Sequence, residues 1–355
     1  MIQKIRLTKF RNFSSAVLEF SPKITVLVGP NASGKTNVLE SLYLLATGKS
    51  FKAKIEEEMI NYKADIARVK GKLLSAMILE AVLTKGVIDM GGNPEKVARK
   101  KLSVNGVGKR LVDFAGNFKI VLFGPWDLDL VTESPSLRRR FLDSFLSQVD
   151  REYRRSVLSY EKGLRQRNKL LLRIREEGAA RSQLLFWNQL LIRSGNYITA
   201  KREEAFAFIG SQPGLNDQKF QLEYDKSVIS EGRLEQYSEE EVAAATTLVG
   251  PHRDDFIFGI QDAKQGSAKI RNLASFGSRG EQRMAVLWLK IAELNFIEEK
   301  TGERPTLLLD DIFSELDHEH RDVVMDLTGS QQTVITTADE HFIKRRGSKF
   351  SIIKL

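Results

Sequence analysis

A chain of 355 residues is long enough for about two domains and a substantial core. Hydrophobic residues make up 42% and charged residues 28%, ordinary globular usage; no apolar run reaches the roughly 18 residues of a membrane span, and the absence of cysteine excludes a disulfide framework or a thiolate site. The net charge of +9 is uneven: residues 1–135 carry 21 basic and 13 acidic side chains, 136–205 carry 16 and 8, and 206–355 carry 18 and 25, so the positive field belongs to the first two segments.

In chain order, the opening MIQKIRLTKFRNF is interrupted by Lys4, Arg6, Lys9 and Arg11, so it is not expected to be a secretory signal, and a cytoplasmic setting is expected. KIRLTKF, AVLEF, ARVKGKLL, MILEAVLT and KLSVNGV alternate apolar and polar residues between turns, which predicts an antiparallel sheet. Ile24 to Val28 is a short apolar strand, and TNVLESLYLLATG is a helix closed by Gly48. Between them stands GPNASGKT, residues 29–36, a match to G-x-x-x-x-G-K-[ST] in the strand-loop-helix setting that this motif requires. Its glycines allow backbone N–H groups to surround a phosphate at the positive end of the helix. The expected nucleotide contacts are Gly29, Pro30, Asn31, Ala32, Ser33, Gly34, Lys35, Thr36 and Asn37, with Lys35 reaching the β- and γ-phosphates and the Thr36 hydroxyl offered to Mg²⁺.

From about Pro135 two long helical patterns follow. Tyr153, Val157, Tyr160, Leu164, Leu171 and Ile174 share one face, interrupted by Arg167; Trp187, Leu191, Ile198, Ala205 and Phe208 share another, with EEGAARSQ as the turn. This predicts a helical hairpin in which Tyr153, Tyr160 and Trp187 are packing groups. Strand signals return after about residue 245 in DDFIFGI, TLLLDD and TVITT, so a helical arm of 136–244 is expected to interrupt one domain of 1–135 and 245–355. TLLLDD, residues 306–311, is an apolar strand ending in two acids: Asp310 is expected at the metal and Asp311 as general base toward the attacking water, so that Asp311 and Lys35 are the catalytic pair.

Residues 276–283, FGSRGEQR, open a helix and form a second phosphate-facing loop in a chain with one evident nucleotide site. This loop resembles the signature motif of ABC ATPases, which implies ATP as the nucleotide, Ser278 and Gly280 at the γ-phosphate, and a dimer in which each signature loop caps the partner's ATP. SELD, residues 314–317, resembles the D-loop of that class, with Asp317 near the opposite site. TLVGPHRDDFIF (247–258), SPSLRRRFLD (134–143), YEKGLRQRNKLL (160–171) and LLLDDIFSELD (307–317) narrow the resemblance to the RecF family of bacterial DNA replication and repair proteins.

That resemblance implies an α/β fold, an ABC/SMC-type P-loop ATPase head of two lobes and mixed sheets with an inserted helical arm. It also implies an ATP- and Mg²⁺-dependent homodimer on double-stranded DNA near single-strand junctions, assisting RecA loading with RecO and RecR, and no membrane partner. Asp311 replaces the more usual glutamate, Thr336 or Thr337 the switch histidine, and Pro125 the Q-loop glutamine, so slow hydrolysis is expected. Lys52 stands where arginine is more common in the family. Arg138, Arg139, Arg140, Lys162, Arg165, Arg167 and Lys169 form a basic stripe that could meet DNA phosphates. His252 and Arg253 in GPHRDD fit either the nucleotide site or packing. With His318, His320 and His341 the remaining histidines, zinc is not expected. The competing readings are a transporter-like ATPase subunit, a metabolite kinase and an ATP-binding structural module without turnover.

Overall fold

The computed structural model describes residues 1–89, 94–261, 270–314, 318–338 and 350–355. It divides into two compact units, 1–127 with 297–355, and 128–296. The chain begins β1 (Ile2–Phe10), β2 (Phe13–Glu19), β3 (Ile24–Val28), α1 (Lys35–Thr47), β4 (Ile66–Leu73) and β5 (Ile78–Thr84). It continues through a ribbon of β6 (Val87–Asp89) and β7 (Pro94–Lys96) to β8 (Lys100–Val104), β9 (Val107–Lys109), α2 (Leu111–Phe114) and β10 (Ile120–Phe123). The second unit holds α3 (Asp129–Thr132), α4 (Pro135–Val149), α5 (Arg151–Glu177), α6 (Leu185–Gly210), β11 (Lys219–Asp225), α7 (Glu231–Gln236) and α8 (Ser238–Ala244). After β12 (Asp255–Gln261), β13 (Ile270–Asn272), α9 (Leu273–Phe276) and α10 (Arg279–Thr301), the chain re-enters the first unit as β14 (Thr306–Asp310), α11 (His318–Thr328), β15 (Thr333–Thr337) and β16 (Ser351–Lys354). None of the described helices is long and apolar enough to cross a membrane.

The first unit has two sheets. In the order β2-β1-β4-β5-β8-β9 every pairing is antiparallel, as the alternation predicts: Leu7 opposes Val69 on the buried face, and Arg6 opposes Lys70 on the exposed face. The other sheet, β10-β14-β15-β3-β16, is parallel throughout, and its inner strands are buried on both faces, hence the unbroken runs Leu307 to Leu309 and Thr333 to Thr337. Gln332 joins the two. Its amide oxygen accepts from the Ile2 N–H at 2.7 Å, and its amide nitrogen donates to the Ile2 carbonyl at 2.7 Å and the Ser21 carbonyl at 2.8 Å, so the start of β1 leaves no buried backbone group unpaired there.

In the second unit α5 and α6 form the expected hairpin. Arg202 reaches Tyr153 and Arg167 reaches Asn188, the mirrored pairing of antiparallel helices. The division of the chain nevertheless falls at 128 and 296, not at 136 and 244. The returning strand β12 pairs with β11, and Phe206 of α6 stacks on Tyr224 of β11 and meets Phe256 of β12 edge-on, so residues beyond 244 stay with the hairpin. Tyr153 and Tyr160 are buried packing groups, as expected; Trp187 is half-buried and meets Phe186 edge-on.

This unit is tied by buried ions. The Arg202 guanidinium donates to Asp254 at 2.7 Å, Asp143 at 2.8 Å and the Pro251 carbonyl at 2.8 Å, and Tyr153 donates to Asp143 at 2.7 Å. Asp254 also accepts from the Ser227 N–H at 2.7 Å and from the Tyr224 hydroxyl. The GPHRDD segment therefore packs. Gly250 has φ of 119°, and a Cβ there would lie 2.2 Å from the Tyr160 hydroxyl, which excludes any other residue. His252 sits between Tyr160 and Thr247. Because the Thr247 carbonyl at 3.0 Å only accepts, Nε2 carries the proton, and Nδ1 accepts from the Tyr160 hydroxyl at 2.8 Å.

Burial lowers the His252 pKa from 6.5 to about 4, with Arg253, Arg139 and Arg167 adding to the shift and the Thr247 bond opposing it. The unfolded chain thus takes up this proton first. Stability is full above about pH 6.5, falls as pH drops toward about 4 and loses nothing more from this group below that, a total of about 3 kcal/mol. His252→Gln is expected to remove this component. Urea unfolding of both chains at pH 7 and pH 4.5 checks it, and parallel losses of stability would count against a buried neutral His252.

Candidate functional site

The phosphate loop links β3 to α1 within the first unit. Gly34, at the N-terminal cap of α1, has φ of 108°, and a Cβ on it would lie 2.6 Å from the Asn12 side chain, so glycine is required on both counts. Lys35 folds back over the loop and donates to the Gly29 carbonyl at 2.6 Å and the Pro30 carbonyl at 2.9 Å. The buried Ser33 hydroxyl has no hydrogen-bond partner. Pro30, Asn31 and Ala32 are exposed at the rim. A folded-back ammonium and an orphaned hydroxyl in a loop opening a helix fit a phosphate.

Register sets the metal side of the site. Strand β15 lies between β3 and β14, with Asp310 opposite Thr336 and Thr336 opposite Leu27. Thr336 donates to Asp310 Oδ1 at 2.6 Å, and Thr36, at the start of α1, donates to the same oxygen at 3.1 Å. Asp310 is 3% exposed; burial raises its pKa, while the bonds from Thr336 and Thr36 oppose the rise. A hydroxyl and a carboxylate 3.1 Å apart are the oxygen donors that Mg²⁺ takes. Asp311 follows at φ of 49°, with its N–H donating to Thr336 Oγ1 at 2.9 Å. Thr336, one of the two threonines left open by the sequence, thus bonds to both strand-end acids. Lys52 acts on Asp310 as a nearby positive charge.

Sequence reasoning missed the brace behind the loop. Asn12, in the β1–β2 turn, donates to the Ser33 carbonyl at 3.0 Å and accepts from Asn37 at 2.8 Å. Its neighbour Arg11 makes a bidentate pair with Glu40 of α1 at 2.7 and 2.6 Å. The signal was the polar RNF turn inside an alternating run, which reads as an ordinary hairpin without knowledge of what it touches.

The signature loop opens α10 in the second unit. Ser278 and Glu281 form a reciprocal cap: the Ser278 N–H donates to Glu281 at 2.7 Å, and the Glu281 N–H donates to the Ser278 hydroxyl at 3.2 Å. Arg271 holds Glu281 at 2.6 Å and lowers its pKa. Ser278 is exposed, a Cβ on Gly280 would meet only the Ser278 hydroxyl at 4.0 Å, and Phe276 beside them is 69% exposed. Asp317 lies outside the described residues.

The basic stripe divides in two. Arg167 is 2% exposed and donates to Glu241 at 2.6 Å, Thr247 at 2.8 Å and Asn188 at 2.7 Å. Arg138 is buried, bidentate to Asp255 at 2.6 and 3.0 Å, and also donates to the Leu130 and Glu133 carbonyls. These two are corrections to the expected DNA contacts, because their donors are already taken by internal partners. Arg139 is half-buried and donates to the Asp254 carbonyl at 2.8 Å. Arg140, Lys162, Arg165 and Lys169 are exposed, the last three on one face of α5.

Comparison with known proteins agrees with this geometry. Residues 1–354 match the RecF/RecN/SMC N terminal domain family. The chain is 35% identical to the DNA replication and repair protein RecF of Herpetosiphon aurantiacus, over 95% of this chain and 93% of the relative, and 34% identical to that of Lachnoclostridium phytofermentans, over 98% and 95%. A structure of the recombination mediator protein RecF with ATP in the RecFOR pathway superposes with a TM-score of 0.82 at 29% identity, covering 96% of this chain and 92% of that one. An SMC head bound to the C-winged helix domain of ScpA, at 16% identity and a TM-score of 0.52, shares the fold. With a phosphate loop, a strand-end acid pair and a signature loop in one chain matched over nearly its whole length, this protein belongs to the RecF family of DNA replication and repair proteins, on an SMC-head type of ABC ATPase fold.

Proposed function

We propose that the chain is an ATP-gated DNA-binding protein that dimerises when each phosphate loop holds ATP and Mg²⁺. The observation that carries the reading is the phosphate loop itself, with Lys35 on its own carbonyls, the Ser33 hydroxyl without a partner, and Thr36 bonded to Asp310. Lys35 would exchange the Gly29 and Pro30 carbonyls for phosphate oxygens, and Thr36 and Asp310 would hold the cation. Asp311 would accept a proton from the attacking water. Its side chain is shorter than the glutamate usual in the class, which suits slow hydrolysis and release of DNA.

Ser278 and Gly280 would cap the partner's γ-phosphate, with Asp317 near the same site; the open space at Gly280 and the exposed ring of Phe276 support an interface there. Ser278→Arg is expected to keep nucleotide affinity and lose ATP-dependent dimerisation, measured by nucleotide titration and sedimentation. Collapse of affinity instead would place the signature loop in its own protomer's site.

DNA would meet two basic surfaces. One is Arg140, Lys162, Arg165 and Lys169 on the second unit, with Arg139 at its edge. The other is the exposed face of the antiparallel sheet, where Arg6 opposes Lys70, and Lys72 opposes Lys4, itself paired with Glu19 at 2.8 Å. Like charges directly opposite across strands are destabilising, and a bound polyanion offsets that. In the cell such a dimer would act on double-stranded DNA near single-strand junctions and assist RecA loading with RecO and RecR, as the family relationship suggests.

The test is the anisotropy of a labelled gapped duplex titrated with Asp311→Asn protein, with and without ATP and Mg²⁺, at two salt concentrations. Tighter, salt-sensitive binding only with ATP is expected. Equal binding in both conditions would detach ATP from DNA and sink the gated reading.

A further inference from the structure

The tip of the helical hairpin carries features that nucleotide and DNA binding leave unused. A cavity of about 390 Å³ opens there, walled by Leu171, Leu184, Leu234 and Val242. Its polar floor groups, Arg167, Asn188 and Glu241, hydrogen-bond with one another or with Thr247. Few of their donors and acceptors are left for a polar small molecule, so the cavity suits an apolar side chain. At its mouth Leu185 is 62% exposed, and the adjacent Phe186 is 64% exposed and meets Trp187 edge-on. Two large apolar residues side by side in water, beside an apolar cavity, mark a contact surface rather than scattered exposure.

The charge around the cavity fixes the chemistry of what it takes. Residues 231–241, EGRLEQYSEEE, carry five glutamates and one arginine in a chain whose net charge is +9. Two arginines also line the cavity, and both are neutralised by carboxylates: Arg167 by Glu241 and Arg181 by Glu239. Glu231, Glu235 and Glu240 are exposed and make no ion pair among the described residues, and Glu231 and Glu235 line the cavity. Nucleic acid and anionic membrane would both be repelled here. An apolar hole with a carboxylate rim is the complement of a helix that carries leucine or phenylalanine anchors one turn apart and lysine or arginine beside them.

We propose that the arm tip, centred on Leu185, Phe186 and the cavity rimmed by Glu231 and Glu235, docks a basic amphipathic helix of a partner protein. The site shares no residue with the nucleotide and DNA surfaces, so it does not depend on the ATP-gated reading. Its specificity would come from the apolar anchor and its encounter rate from the carboxylates.

The test uses the full chain and two labelled helical peptides with the same leucine face, one with lysine and the other with glutamate on the polar face. Fluorescence anisotropy is expected to show binding of the lysine peptide, weakened by salt, and none of the glutamate peptide. Leu185→Asp, and separately Glu231→Lys with Glu235→Lys, are each expected to weaken it at least about tenfold. All three positions are exposed, so the variants should fold; an unchanged circular dichroism spectrum and unchanged ATP-dependent dimerisation would confirm that and keep this test apart from that of the proposed function. Equal binding of both peptides, or affinities unmoved by the variants, would overturn the proposal. So would nucleotide-independent self-association abolished by Leu185→Asp, which would make the occupant a second copy of this chain.

Discussion

Lys35→Met is expected to leave the apo protein folded and to abolish ATP-dependent dimerisation. Methionine keeps most of the aliphatic reach of lysine, so α1 keeps its packing, and the Gly29 and Pro30 carbonyls that lose the ammonium are at an exposed rim where water replaces it. What disappears is the proposed charge-assisted contact to phosphate. Hydrogen bonds to charged groups contribute about 1.5–3 kcal/mol, which is roughly ten- to more than a hundredfold in nucleotide affinity. A ligand shifts an equilibrium only by its differential affinity for the two states, so a weakened nucleotide also closes the dimer less. Sedimentation with and without ATP and Mg²⁺ reads this directly, and a normal ATP-induced dimer in the variant would overturn the assignment of the site.

The largest effect on stability is expected at Arg202. Replacing it with methionine conserves bulk but leaves Asp254, fully buried, and Asp143 without their cation, and leaves the Pro251 carbonyl with only the Asp254 N–H at 3.3 Å. Removing one partner of a buried ion pair costs about 3–5 kcal/mol, because the remaining charge stays desolvated. Arg202→Lys is expected to recover only part of that, since one ammonium cannot present the planar fork that reaches Asp254, Asp143 and Pro251 together. Urea denaturation followed by circular dichroism measures both variants. A loss under about 1 kcal/mol in the methionine variant would mean that water enters and solvates the acids.

These two positions differ in how far the sequence alone could take them. The phosphate loop was legible because its geometry is local: glycines, a lysine and a threonine between a strand and a helix form the cradle whatever surrounds them. The strand-end acids were legible for the same reason. The bonds from Thr336 to those acids were not, since they rest on the register that sets Asp310 opposite Thr336. Nor was the brace from Asn12 and Arg11, which becomes visible only when the β1–β2 turn is packed against α1.

Arg138 and Arg167 show the same limit from the other side. Along the chain Arg138 is indistinguishable from Arg140, and Arg167 differs from Arg165 only in falling on the apolar face of its helix, with nothing in the sequence to name its partner. Their burial follows from Asp255 and Glu241, 117 and 74 residues away, which arrive only when β12 and α8 fold against the arm. The sequence by itself determined the family, the phosphate-loop motif and the helical hairpin, because each is written in short-range spacing. The tertiary structure decided which cations are spent inside and which face solvent, where the units divide, and that the acidic segment 231–241 comes to lie beside the hairpin tip. Pairing between distant charges depends on the packing that brings them together and excludes water, and no local pattern encodes it.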